Sequence, residues 1–517
     1  MKKIYILFIV LLVLGSACKK DFLSVDENNP NNASTVPASF VLPSALNYTS
    51  ILMNTQSNGT GYAFVNQWWG LWCISGGYSQ DPVMTGYNIS NGFLSGSTQG
   101  IWSSAYVNLN NYDYIEKGST TSNLKSYRAI AKIMKAYIFQ TLVDTYGNIP
   151  YSEALKTDKG ILKPKYDDQQ VIYTDLVAQL DSAMDIIATT PATAEAVGSK
   201  DIIYGGDMNK WALFANTLKL RMLINQSGMA SQASYISGEI SKTATVGYIG
   251  AGQGAWVNPG FLQSSGKMSP FWESFYNATG STTNNYVYYM AGQDACDFLT
   301  TNNDPRKLRF FQPLTAGGTT VQGNYFGQLI LQTVPNTSKL GFGLLKGFTQ
   351  NAAILTDIEA LFLEAEAAQK GLIPGSAKAF YEAAVTQSII YEGAKSSLDP
   401  STYVPLSAAN AAAYLAQPVA LVSYDAAIDK VRTIITQKWC ALNGLSPATI
   451  WTDWRRTGFP DFLHFSADPN KKNPTPPIRL FYPQTEVNTN NDNVLLQGIT
   501  TTNDLFTKNI FWDVNGK

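Results

Sequence analysis

From Arg128 to Tyr146, apolar residues recur at steps of three and four: Ile130, Ile133, Met134, Tyr137, Ile138, Leu142 and Tyr146, with Thr141 on the same stripe. That is the period of a helix with one buried face. Lys132, Lys135 and Asp144 fall off the stripe and are expected toward solvent. Gly147 tolerates positive φ and Pro150 cannot extend a helix, so an abrupt stop is predicted there. The same period returns in Ser34–Gln56, in Gln99–Lys117, and after Tyr166-Asp167-Asp168 with Ile172, Leu176, Leu180 and Ile187 inward. It recurs after Asp207, which is placed to cap the helix that follows, then across Ala352–Gly393 and in Ala426–Leu442. Between Thr243 and Gly347 it fades, and Gly, Thr, Asn and Ser dominate. Long ordered loops of this kind are usually functional. Within it Tyr286, Tyr288 and Met290 alternate as on a strand, with Tyr289 facing the other way.

Leu361, Ala365, Ala377, Tyr381 and Ala384 fall at the spacing of a tetratricopeptide repeat, where small residues let paired helices approach closely. An ordinary helix pair is the plainer reading. The expected fold is mainly α: a tetratricopeptide-like helical scaffold with a long loop-rich insertion carrying minor β structure. Residues 34–517 read as a single domain, with the excursion at about 243–347.

The first residues change the setting. Lys2 and Lys3 precede the apolar run Ile4–Leu14, followed by small residues and Cys18. This is a signal peptide over residues 1–17, too short for an ordinary membrane span. Leu14-Gly15-Ser16-Ala17-Cys18 looks like a relaxed bacterial lipobox, with Cys18 as the lipid-attachment residue and residues 18–33 as a polar tether. Several acyl chains together give a durable anchor. The other cysteines, Cys73, Cys296 and Cys440, allow either one disulfide with a thiol left over or three buried free thiols.

The chain carries 37 Lys plus Arg and 38 Asp plus Glu, a net charge of −1, which is no footprint for nucleic acid. Its single histidine, His464, reads as a bystander; it argues against a zinc site and leaves nucleophilic chemistry no base to use. No metal, cofactor or catalytic residue is assigned. A glycoside hydrolase would need two opposed carboxylates, and no motif nominates a pair.

The aromatic content suggests a candidate function. The segment 59–100 sets Trp68, Trp69, Trp72 and Tyr78 among Gly, Ser, Asn and Gln. Adjacent Trp68 and Trp69 cannot share one helix face, so one is expected toward solvent or a cavity. Flat rings match the C–H faces of sugars, while Asn66, Gln67 and Asp81 can hydrogen-bond hydroxyls. Plain core tryptophans are the alternative.

Four strings carry a family resemblance. Ala136 to Ala154 contains Gln140, Leu142, Val143, Asp144, Tyr146, Gly147, Asn148, Ile149, Pro150, Tyr151 and Glu153. Tyr204-Gly205-Gly206-Asp207 leads to Trp211, Phe214, Ala215, Asn216, Leu218, Leu220 and Arg221. Trp451-Thr452-Asp453-Trp454-Arg455-Arg456-Thr457-Gly458-Phe459-Pro460 and Arg479 to Glu486, with Asn488 and Asn493, close the chain. In this order they resemble the SusD/RagB family of surface lipoproteins, in the branch whose chains end in a YPQTE-N motif. Ile478 stands where that family usually has Arg. The resemblance implies an outer-membrane lipoprotein facing the cell exterior that captures oligosaccharide and delivers it to a SusC-type TonB-dependent transporter. A peptide cargo, or a scaffolding role for the repeats, is the alternative within the same architecture. Relatives draw recognition aromatics from an early loop and from the mid-chain excursion, which here suggests Trp272 and Tyr286 or Tyr288. Arg221 is expected to pair internally, as are Asp453 with Arg455 or Arg456, and Arg479 with Glu486.

Overall fold

The helix α4 (Lys125–Tyr146) is the pillar the other helices lean on, in a computed structural model that describes residues 36–56, 61–79, 81–94 and 100–515. The signal peptide 1–17, Cys18 and the tether to residue 33 lie outside the described residues. Before α4 come α1 (Ala38–Asn54), the short α2 (Ala63–Trp68) and α3 (Ile101–Gly118). After it follow α5 (Gln169–Ala188), α6 (Met208–Asn225), α7 (Asp357–Gln369), α8 (Ala377–Gly393), α9 (Lys430–Ala441) and α10 (Pro447–Thr457). The fold is mainly α, as the periodicity predicts, and α10 is a helix the pattern did not predict.

The pillar corrects one expectation. Lys132 and Asp144 are buried rather than solvent-facing, and Lys135 is half-buried. Packed against α3 and α5, the helix has no free face, and its off-stripe charges become ties between helices. Lys132 Nζ donates to Gln179 Oε1 at 2.5 Å and lies 3.1 Å from Glu116, while Lys135 pairs with Asp113 at 2.8 Å. Asp144 accepts from the Tyr173 hydroxyl and from Trp512 Nε1. Gly147 ends the helix at φ +78°, the positive φ its type suggested.

Asp207 caps α6 by accepting from the Asn209 and Lys210 amides at 3.1 and 3.2 Å. Asp207→Ala is expected to cost about 1 kcal/mol, read by denaturant unfolding. Arg221, on α6, pairs internally: it lies 3.1 Å from Glu359 Oε1 and donates to Gln140 Oε1 at 2.8 Å. α7 and α8 pack together as a helical hairpin with Tyr381 buried between them, its hydroxyl on the Val422 carbonyl at 2.5 Å.

The closing motifs lock the tail onto the pillar. Arg456 pairs with Asp453 at 2.7 Å and Glu366 at 2.5 Å. Among the described residues Arg455 forms no such pair; it sits against the rings of Trp451 and Trp512 and donates to the Asp144 and Ile478 carbonyls. The expected Arg479–Glu486 pair does not form among the described residues. Arg479 instead donates to the Tyr146 carbonyl at the end of α4 and to the Tyr482 hydroxyl, satisfying a carbonyl the helix end leaves open. Cys73, Cys296 and Cys440 are buried free thiols.

Burial pushes the Glu364 carboxyl on α7 up to about 7. The folded chain then holds this proton more tightly than the unfolded one, whose carboxyl titrates near ~4.3. The group therefore lowers stability above pH 7, and that loss is recovered as pH falls toward 4. Glu364→Gln should raise stability at pH 8 by up to roughly 3–4 kcal/mol and change it little at pH 4. Unfolding curves at both pH values check this.

The few strands are short. β1 (Trp72–Ile74) pairs antiparallel with β5 (Tyr289–Ala291), and β4 (Ala255–Val257) with β6 (Ala352–Leu355); two of them, β4 and β5, lie in the excursion. Between them in sequence, β2 (Ile149–Pro150) pairs with β3 (Tyr166–Asp167) beside the pillar's end.

Candidate functional site

The register Ile74↔Tyr289 brings together two loops far apart in sequence. The Ser75 amide donates to the Tyr288 carbonyl at 3.0 Å, so the chain leaving β1 runs beside the chain entering β5. Tyr78 and Tyr288 meet edge to face, centroids 5.1 Å apart at 79°. The Tyr78 hydroxyl lies 3.4 Å from the Asn284 carbonyl, a weak bond across 206 positions. Edge-to-face packing is the geometry the ring quadrupoles prefer.

Tyr286, two residues before Tyr288 on one short helical turn, rests on a different support. Its ring meets Tyr276 at 5.3 Å, and Tyr276 stacks on Trp272 at 4.2 Å and 10°. Gln312 Nε2 donates to the Tyr286 hydroxyl at 3.1 Å, and Lys339 Nζ sits 5.1 Å from the ring centroid. Tyr78, Tyr286 and Tyr288 are half-buried, whereas Trp272 and Tyr276 beneath are buried. Rings that are held by neighbours yet reach solvent can stack a flat ligand face without first being ordered.

The strand alternation expected for Tyr286, Tyr288 and Met290 is not what forms. Asn285–Tyr288 is a single helical turn, and the strand starts only at Tyr289. The Tyr286 amide bonds the Thr283 carbonyl, and the Val287 and Tyr288 amides bond that of Asn284, winding the chain before the ladder begins.

The other nominated residues lie elsewhere. Trp68, Trp69 and Trp72 are fully enclosed, and the expectation that Trp68 or Trp69 faces solvent or a cavity is corrected. α2 is six residues long and covered on every side. Trp68 packs on Phe64, Tyr87 and Phe93, while Trp69 packs on Trp451, Trp454 and Phe465. Trp72 donates from Nε1 to Asn443 at 2.8 Å. Asn66 and Gln67 are buried in the same turn, Asn66 reaching Gln56 at 3.3 Å. Trp272 is a supporting ring rather than an exposed one. Asp81 is exposed, and its carboxylate caps the short helix Pro82–Thr85 through the Val83 amide at 2.9 Å.

Gln312, Lys339 and Asn284 are polar neighbours of the tyrosines that no motif marks. His464 is mostly exposed; its Nδ1 lies 2.7 Å from Asp294, whose carboxyl burial pushes up to about 6, and its ring rests on Tyr325. It sits apart from the tyrosine patch, tying the loop after α10 to the helix Gln293–Thr301.

A family profile described as starch-binding and associating with the outer membrane, SusD-like_2, matches residues 30–483. The chain belongs to this SusD-like family. The SusD-like fold is repeated in solved structures. A chitin-binding protein superposes with a TM-score of 0.70 at 24% identity, over 92% of this chain and 100% of that one. A SusD/RagB family protein from Bacteroides thetaiotaomicron gives 0.72 at 20% identity, over 93% and 99%. A SusD homologue from Bacteroides fragilis gives 0.71 at 20%, over 93% and 98%. At these identities the likeness is one of fold. No curated protein matches the chain. SusD-like membership makes this a nutrient-binding protein associated with the outer membrane. Among the described residues no helix is long and apolar enough to cross a membrane.

Proposed function

We propose that this protein captures oligosaccharide on the Tyr78–Tyr286–Tyr288 patch and delivers it to a SusC-type TonB-dependent transporter. The observation carrying this reading is the edge-to-face pair of Tyr78 and Tyr288, built from two loops and half open to solvent. Pyranose C–H faces stack on such rings, and the Asn284 carbonyl beside Tyr78 and the Gln312 side chain beside Tyr286 are groups that hydrogen-bond sugar hydroxyls. The family's starch-binding description and the chitin-binding neighbour favour a glycan over a peptide.

The protein acts without chemistry: shape, stacking and hydrogen bonds suffice. A shallow, wet surface of this kind gives modest affinity. Acylation of Cys18 after removal of residues 1–17 holds the body at the outer face of the outer membrane, with residues 18–33 as the tether. That places the patch beside the transporter's mouth.

Affinity electrophoresis of the purified protein through gels containing soluble glycans tests the reading. Retardation with no release of reducing ends is the expected result. Time-dependent reducing ends would instead make the protein an enzyme, and migration unaffected by every glycan would end the proposal. Metabolic labelling with a fatty-acid analogue, lost in Cys18→Ala, tests the anchor.

A further inference from the structure

Beyond Asn284 the surface falls into a groove of about 910 Å³. That is at the upper end of the roughly 300–1,000 Å³ usual for small-molecule sites. One wall is α1 and the other is the loop of residues 259–268; Asn284 and Asn285 form the end nearest the tyrosines. Asn284 is common to the two: it lines the groove, and its carbonyl meets the Tyr78 hydroxyl of the patch.

The two surfaces have different chemistry. The patch is aromatic. The groove presents no open aromatic ring among its described lining residues, because Phe261 is buried. Its open apolar lining is aliphatic: Ile51 and Leu262 are 41% and 59% exposed, with Pro259 beside them, while Met268 is buried like Phe261. Exposed large aliphatics lining a concave surface mark a binding site more than singly scattered ones do. Asn47 and Asn284 supply amides among these aliphatics. The groove's two charges are one of each sign, Lys267 and Glu273, and Glu273 already accepts from the Gly266 amide at 2.6 Å.

A sugar bearing only hydroxyls gains little from isoleucine and leucine walls. An acetamido group uses both kinds of wall: its methyl is buried against aliphatic carbon, and its N–H and C=O pair with side-chain amides. The balanced charge suits a neutral ligand. We infer that this groove is a second subsite that binds the N-acyl substituents of an oligosaccharide whose rings stack on Tyr78 and Tyr288. The inference rests on the proposed glycan-binding function and narrows its substrate class to N-acetylated, uncharged chains.

Two β-1,4-linked tetramers, of N-acetylglucosamine and of glucose, differ only in the acetamido groups and so isolate them. Titration calorimetry with wild-type protein should find the acetylated tetramer bound at least about 10-fold more tightly, on the order of one buried methyl plus one hydrogen bond. In an Ile51→Ser, Leu262→Ser double variant that preference should collapse toward one, with the glucose tetramer's affinity unchanged. Both positions are partly exposed, so an unaltered melting temperature serves as the folding control. Tyr288→Ala should weaken both tetramers alike. Equal wild-type affinities, or a preference that survives the groove variant, would overturn the subsite and leave the tyrosine patch standing. Binding of neither tetramer would overturn the subsite and its N-acetylated substrate class, while the gels with the full set of glycans still decide the tyrosine patch.

Discussion

Arg456→Ala is expected to destabilise the protein by about 3–5 kcal/mol, the usual cost of removing one partner from a buried ion pair. Arg456 is buried and donates to both carboxylate oxygens of Glu366, each at 2.5 Å, and to Asp453 at 2.7 Å. Glu366 has no solvent exposure, and the guanidinium holds its carboxyl well below the ordinary range. Truncation leaves that carboxylate with Lys370, 3.0 Å away, as its remaining close cation. Glu366 lies on α7 and Arg456 on α10, so this pair ties the tail motif to the helical hairpin. Arg432 and Asp461 form the control. Their pair is partly open to water, and Arg432→Ala should cost about 0–1 kcal/mol. Denaturant unfolding of both variants decides. A small loss at Arg456 would mean that the tail is held by packing alone.

Replacing Tyr78 and Tyr288 together by alanine is expected to weaken oligosaccharide binding on the order of 100-fold, about 2.8 kcal/mol. Each ring is a stacking surface, and each supports the other at 5.1 Å. The single variants should therefore each lose more than half of the double variant's effect, because removing one ring frees the other to move. Stability should change little, since both rings are half open and neither belongs to the central core. A third variant, Trp272→Phe, separates support from contact. It disturbs the ring beneath Tyr276 and Tyr286 but not the Tyr78–Tyr288 pair, so its loss of affinity should be the smallest of the set.

Local signals in the sequence predicted the scaffold well, because helices announce themselves through nearby residues. The stripe on α4, the stop at Gly147, the Asp207 cap and the internal partner of Arg221 all follow from type and spacing. The errors came where distant segments decide. Lys132, Lys135 and Asp144 look like solvent positions only if α3 and α5 are left out of account. Trp68 and Trp69 look like a split pair only if the tail that supplies Trp451, Trp454 and Phe465 is ignored, some 380 positions away. The site is the sharpest instance. Tyr78 and Tyr288 are both legible as candidates, yet their meeting depends on the pairing of Ile74 with Tyr289. No periodicity in either segment encodes that register. Arg479 shows the same limit on a smaller scale: its expected partner Glu486 is near in sequence, but the open carbonyl at the end of α4 is near in space.

Calorimetric titration of wild type and of the Tyr78→Ala, Tyr288→Ala protein with one glycan that retards the wild type, followed by chromatography of the recovered sugar, goes straight to the claim that two paired rings hold an unmodified ligand. Saturable binding by the wild type, lost on the order of 100-fold in the variant at equal melting temperature, with the sugar returned intact, is the predicted result. Equal affinity in the two proteins, or a shortened sugar, would contradict it.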